Sequence, residues 1–122
     1  MIRRVAVALG ERSYSIVIGN GIDDEIITFM REAGYSPQGM IVTDTNIGVR
    51  HADRIVKLLE RAGLRSDVIT IPAGETSKSL TQADRIFTRA IELGLDRRSP
   101  IIALGGGVVG DLAGFVAAPY MR

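Results

Sequence analysis

Short apolar runs alternate with amphipathic helical stretches along most of this chain, and that alternation constrains the fold more than any other feature. Residues 40–43, 67–71 and 101–104 are short and apolar enough to be buried strands. Between the first two, Ile55, Val56, Leu58, Leu59 and Ala62 share one side of a helix, opposite Arg54, Lys57, Glu60 and Arg61. Between the second and third, Leu80, Ala83, Ile86, Phe87, Ala90 and Ile91 recur at three-four spacing behind Ser79, a suitable N-cap. An earlier helix opens on Asp23, Asp24 and Glu25, where the helix dipole favours acids. It carries Ile26, Ile27, Phe29, Met30 and Ala33 and stops at Gly34. Strands joined by helices of this length run parallel with right-handed crossovers. Ahead of these units, Val5, Val7 and Leu9, and then residues 14–18, alternate with period two around a turn at residues 10–13. That pattern predicts an antiparallel hairpin of half-buried strands. The expected fold is α/β, a three-layer Rossmann-like parallel sheet with an N-terminal antiparallel hairpin, in one domain over residues 1–122.

Several function classes are excluded by composition. Fifteen Lys and Arg against fourteen Asp and Glu give a net charge of +1 without a basic tract, and aromatic residues make up only 5%, which argues against a nucleic-acid partner. The absence of cysteine excludes a disulfide framework, a thiolate metal site and a Cys nucleophile, and suits a reducing cytosol. Arg3 and Arg4 imitate the start of a leader peptide, but Gly10, Glu11 and Arg12 interrupt the apolar run too early. No run reaches membrane-spanning length, so a soluble cytoplasmic domain with no membrane contact is expected. The single histidine, His51, lies on a predicted helix with no second histidine at a ligand spacing, and reads as a solvated or capping residue. No serine sits in a nucleophile-elbow pattern. Neither a catalytic residue nor a metal ligand is predicted within the chain.

The chemistry concentrates at residues 101–115, a strand, three consecutive glycines and a helix start. Gly105, Gly107 and Gly110 match G-x-G-x-x-G. A strand–glycine–helix junction leaves unpaired N–H groups at the positive end of a helix dipole, and residues without a Cβ let a phosphate approach the backbone. A close-packed βα connection is the plainer alternative. The turn lacks the Gly-Lys-Ser/Thr of a Walker A loop. It also comes last among the strand–helix units of residues 1–122, so a ribose-binding acid among these residues is expected from an earlier strand end. Ligands of such sheets sit beyond the carboxyl ends of the strands, where loops beginning at Asp44, Pro72 and Gly105 emerge and should line one cleft. Asp44 and Glu75 are the available carboxylates. Asp44 is equally suited to capping a helix, Glu75 and Lys78 to being solvated loop charges, and Asp111 to complementing the helix dipole.

Residues 105–118, followed by Tyr120, Met121 and Arg122, resemble the signature of the 3-dehydroquinate synthase family. Residues 9–14, 43–46 and 74–79 are similar to the same family in the same order. The resemblance implies a phosphorus–oxygen lyase of the shikimate pathway, in aromatic amino acid biosynthesis. Such an enzyme converts 3-deoxy-D-arabino-heptulosonate 7-phosphate into 3-dehydroquinate and phosphate. NAD withdraws and returns a hydride, and zinc or another divalent metal polarises the oxidised carbinol. By position, the resemblance places Asp44 and Asn46 at the adenosine end of NAD. It places Gly74, Glu75 and Lys78 at ribose and phosphate, Gly106, Gly107, Val108, Val109 and Gly110 at the pyrophosphate, and Asp111 beside the nicotinamide-side ribose. Arg122 corresponds to an arginine that reaches the substrate phosphate across a homodimer, a task suited to guanidinium. Pro119 stands where the family usually carries a small hydroxyl residue. The resemblance covers about the first third of a family member, so the C-terminal domain with the metal and substrate residues is expected to be absent and this part inactive alone. The alternatives are a domain of a glycerol-dehydrogenase-like enzyme, a domain of another sugar-phosphate cyclase, and a stand-alone nucleotide-binding module.

Overall fold

A computed structural model describes residues 2–120, except the side chain of Arg12. The chain begins with β1 (Arg3–Val7) and β2 (Tyr14–Ile18), joined through a short 3-10 turn and paired antiparallel. Three strand–helix units follow a first helix. These elements are α1 (Asp23–Ala33), β3 (Gln38–Asp44), α2 (Thr45–Arg61), β4 (Arg65–Ile71), α3 (Leu80–Glu92), β5 (Ile101–Leu104) and α4 (Gly107–Ala117). The strands β3, β4 and β5 form one parallel sheet in the order β4-β3-β5. The three-layer expectation holds. Ile41 faces α1 and α2 through Ile27, Met30, Ile55, Leu58 and Leu59. Met40, Val42, Ile69 and Ile71 face α3 and α4 through Ala83, Ile86, Ala90, Val109, Leu112 and Val116. Central β3 is therefore covered on both faces, which is why Met40, Ile41 and Val42 form an unbroken apolar run.

Local signals in the sequence account for the helix ends. Ser79 accepts a hydrogen bond from the Gln82 N–H at the start of α3. Gly34 ends α1 in the left-handed conformation, φ +68°, and the Arg98 guanidinium donates to the carbonyls of Ala33 and Gly34. Asp96 accepts from Ser36 Oγ at 2.7 Å and from the Arg98 N–H at 2.8 Å, tying together the loops that precede β3 and β5. Pro119 follows the C-cap of α4, Ala118, beyond the last helical hydrogen bond, where its missing N–H costs nothing. Tyr120 then donates to the carbonyls of Ala90 and Leu95 and meets Phe87 edge-on, at a centroid distance of 5.5 Å.

Two packing expectations are corrected. The periodic apolar stripes of α1 and α3 are wider than the surface a three-strand sheet can cover. Phe29, Leu80 and Ile91 are exposed, Leu80 by 78%, while Ile27, Met30, Ala83, Ile86 and Ala90 make the core contacts. The hairpin is not half-buried either. Its register sets Val5 against Ile16 and Val7 against Tyr14, with Ile18 on the same face. Val5, Tyr14, Ile16 and Ile18 are 43–52% exposed. The opposite face, with Ser15 and Val17, lies over α1, and Arg4 binds Glu25 there through two guanidinium nitrogens. The more apolar face of the hairpin thus points away from the body of the domain. Among the described residues, no helix is long and apolar enough to cross a membrane.

Candidate functional site

Because β3, β4 and β5 are parallel and in register, their carboxyl ends lie side by side and release three loops together. Contacts join those loops pairwise. The Ala73 N–H donates to Thr45 Oγ1 at 3.1 Å, linking the second loop to the first. Lys78 Nζ lies 3.0 Å from Asp111 Oδ2, linking the second to the third. Asp44 Oδ2 points to the third loop as well, 3.7 Å from where a Cβ on Gly105 would stand. The sequence expectation that loops from Asp44, Pro72 and Gly105 meet is matched by this geometry. A cavity of about 490 Å³ lies elsewhere, between β4 and α3, lined by Val68, Thr70, Asp84 and Arg85 among others.

Each residue singled out from the sequence now has a place. Asp44 is a helix cap: Oδ1 accepts from the N–H groups of Asn46 (2.9 Å) and Ile47 (2.8 Å), which leaves Oδ2 for the glycine turn. Asn46 is exposed in the first turn of α2. Gly74 has φ +111°, a backbone that favours glycine, and opens a 3-10 turn, Glu75–Ser77, from which exposed Glu75 projects. Lys78 is held above the ordinary lysine range, first by its hydrogen bond to Asp111 and its charge, then by Glu75. Its ammonium is therefore positive throughout the physiological range. Asp111, suited by sequence to the helix dipole or to a ligand contact, faces Lys78 in the structure.

The glycines divide the work. Gly105, at φ +154°, makes the sharp turn out of β5, and a Cβ there would come to 3.1 Å from Val109 Cγ2. Gly106 caps α4 without a side-chain hydrogen bond, and the Gly110 N–H returns to the Gly106 carbonyl at 3.1 Å. The N–H groups of Gly107, Val108 and Val109 thus sit ahead of the first helical hydrogen bond, at the positive end of α4. A Cβ on Gly106, Gly107 or Gly110 would meet nothing within 4 Å. These positions form a ledge of bare backbone facing open space, while the Val109 side chain is buried in the core. Such a ledge can take an anion at close range.

His51 is partly exposed and lies 3.0 Å from Arg54 Nη2, on α2. Among the described residues, no three His, Asp or Glu side chains converge as a metal would require. Arg122 lies outside the described residues. Sequence reading missed Thr43 and Ser77, the buried polar residues found among the described ones. Thr43 lies at the carboxyl end of β3 and Ser77 ends the 3-10 turn that follows β4, and each hydroxyl donates to a backbone carbonyl, Thr43 to Leu104 and Ser77 to Pro72. The available signal was a hydroxyl residue closing the apolar run 40–43.

With this geometry in place, comparison with known proteins is informative. The family model for the N-terminal region of 3-dehydroquinate synthase matches residues 68–122. The 3-dehydroquinate synthase of Desulforamulus reducens is 49% identical over 118 residues, covering 97% of this chain and 33% of that protein. The enzyme of Caulobacter vibrioides is 46% identical over 123 residues, covering 100% of this chain and again 33% of the relative. Over nearly its whole length this chain is thus similar in sequence to 3-dehydroquinate synthases. It spans about a third of the length of these synthases. Among solved structures, a 2-deoxy-scyllo-inosose synthase complexed with carbaglucose-6-phosphate, NAD+ and Co2+ superposes with a TM-score of 0.86 at 21% identity, over 98% of this chain and 32% of that one. ValA, a 2-epi-5-epi-valiolone synthase from Streptomyces hygroscopicus with NAD+ and Zn2+ bound, superposes with a TM-score of 0.73 at 24% identity, over 95% and 32%. At those identities the structural likeness establishes the fold, and the match to the synthases rests on sequence.

Proposed function

We propose that the three loops hold NAD, and that the chain is the cofactor-binding part of a 3-dehydroquinate synthase. The observation that carries this reading is the ledge of Gly106, Gly107 and Gly110 over the uncapped N-terminus of α4. It fits a pyrophosphate: bare backbone facing open space, N–H groups without helical partners, and the Lys78 ammonium on the neighbouring loop, paired with Asp111 of α4. The bound dinucleotide supplies hydride withdrawal and return in the family reaction, which converts 3-deoxy-D-arabino-heptulosonate 7-phosphate into 3-dehydroquinate with loss of phosphate. This chain's residues bind and orient. Gly106, Gly107, Val108, Val109 and Gly110 hold the pyrophosphate through the backbone. Lys78 neutralises its charge, and Asp111 turns from Lys78 to the nicotinamide-side ribose. Gly74 and Glu75 meet ribose and phosphate, while Asp44 Oδ2 and Asn46 meet the adenosine end.

The described residues do not assemble a metal site, so no step is assigned to a metal here. A divalent metal and the catalytic groups would belong to the remainder of the longer protein. Arg122 is proposed to reach the substrate phosphate, across a homodimer. The exposed apolar face of the hairpin, with Val5, Ile16 and Ile18, supports association into such a dimer. The cysteine-free sequence supports a cytoplasmic location. Another sugar-phosphate cyclase is the second reading, favoured by the fold likeness to 2-deoxy-scyllo-inosose synthase. Identities of 46–49% with the synthases favour the first. Calorimetric titration with millimolar NAD tests the site: weak binding is expected, and no heat would count against it. The chain alone should release no phosphate from the heptulosonate phosphate, and measurable turnover would overturn the division of labour proposed here.

A further inference from the structure

Thr43 lies at the last fully buried position of β3, with no exposed surface, after Met40, Ile41 and Val42, which are equally buried. A hydroxyl in such an environment is costly unless it is hydrogen-bonded, and valine would fill the same volume without that demand. The hydroxyl donates to the carbonyl of Leu104 at 2.7 Å, across the parallel pairing Thr43↔Leu104 that ends the ladder between β3 and β5. Leu104 is the residue before the glycine turn. Its carbonyl shares a planar trans peptide with the Gly105 N–H, so holding one orients the other. On the other side, Thr43 Cγ2 lies so close to α2 that a Cβ on Gly48 would come to 2.8 Å from it. The next residue, Asp44, caps α2 and turns Oδ2 toward Gly105. Thr43 is thus where the end of β3, the first turn of α2 and the exit of β5 are locked together.

We propose that Thr43 is a positioning residue for the glycine turn: its hydroxyl sets the Leu104–Gly105 peptide, and through it the ledge that holds the dinucleotide pyrophosphate. Gly105, at φ +154°, has a backbone conformation open to glycine and to few other residues, and the same freedom of glycine leaves the geometry of the turn to be set by neighbouring contacts. The Thr43 hydroxyl provides that contact. The residue touches no ligand itself. The inference rests on the NAD reading of the site for its functional consequence, while its structural part stands on the peptide orientation alone.

The test uses the 122-residue chain with Thr43→Val, which removes the hydroxyl, and Thr43→Ser, which keeps it and removes the methyl packed on Gly48. Amide resonances and hydrogen exchange of residues 105–109 are read in both variants, with calorimetric titration by NAD and a thermal melt. In Thr43→Val, the resonances of Gly105 and Gly106 should shift, their exchange should quicken, and NAD should bind more weakly by up to about tenfold, the limit reached if all of that internal hydrogen bond's stabilisation is lost from the binding geometry of the turn. Thr43→Ser should keep the wild-type amide pattern and an affinity within about twofold, even where its melting temperature falls. A merely structural Thr43 would make affinity follow melting temperature across both variants, and that outcome overturns the inference. Unchanged resonances for residues 105–109 in Thr43→Val overturn it as well, whether or not NAD binds. Shifted resonances with no NAD binding by the wild-type chain would uphold the positioning role and sink the ligand reading instead.

Discussion

Gly107→Ala should move stability and binding in opposite directions. Gly107 is the first residue of α4, lies outside the left-handed region, and has open space where a Cβ would stand. Alanine at such a site reduces the freedom of the unfolded chain and stabilises by about 0.4–1 kcal/mol. For a domain of this size that corresponds to a rise of about 1–5 °C in melting temperature. The same methyl group occupies the ledge. A phosphate oxygen needs to come within about 2.9 Å of a backbone nitrogen, and a methyl there holds it off. Losing one such charge-assisted hydrogen bond costs about 1.5–3 kcal/mol, or roughly a 10- to 100-fold increase in Kd for NAD. Thermal melting and calorimetry read the two effects separately. Gly105→Ala serves as the contrast, since its Cβ would stand 3.1 Å from Val109 Cγ2 at φ +154°, and should lower the melting temperature. An NAD affinity within about twofold of wild type in Gly107→Ala would refute the pyrophosphate assignment. A lower melting temperature there would refute the open ledge.

Other perturbations reach different parts of the site and fold. Asp44→Ala removes the acceptor of two α2 N–H groups and should destabilise by about 1 kcal/mol, whereas Asp44→Asn should keep most of the cap; equal melting temperatures for the two variants would contradict the capping role. Lys78→Met should leave the melting temperature nearly unchanged, because its ion pair with Asp111 is exposed, and should weaken NAD binding and flatten its salt dependence. An unaltered salt dependence would detach Lys78 from the phosphates. Acid should destabilise the fold through Asp96 and Glu25. The Ser36 hydroxyl, with the Arg98 and Ser99 groups, holds Asp96 below the usual 3.8, and Arg4 holds Glu25 below 4.5. Both carboxylates are ionised more readily in the fold than in the unfolded chain, so their contribution is present above those values and is lost as pH falls through the lower folded ones. Melting temperature should therefore drop below about pH 4, with a shallower drop in Asp96→Asn. An identical acid limb in that variant would exclude Asp96 as a contributor.

The sequence by itself determined the order of strands and helices, the parallel sheet, the layered core and the glycine turn at the exit of β5. Those features rest on local periodicity, on capping residues such as Ser79, and on the requirement that strands joined by helices run parallel. It also carried the resemblance of residues 105–118 and 120–122 to the 3-dehydroquinate synthase family. Only the tertiary structure decided which way each apolar face turned. The alternation of Val5, Val7, Tyr14, Ile16 and Ile18 is indifferent to whether its apolar side meets the core or solvent, and the ion pair between Arg4 and Glu25 accompanies an arrangement in which it points outward. The three-four spacing that includes Phe29, Leu80 and Ile91 likewise cannot reveal that a sheet of three strands is too narrow to cover them. Long-range partners were equally hidden. Lys78 and Asp111 stand 33 positions apart in the chain, and Thr43 and Leu104 are 61 apart. No local pattern pairs them; parallel register at the carboxyl end of the sheet does, by bringing distant strand ends and their loops within hydrogen-bond reach.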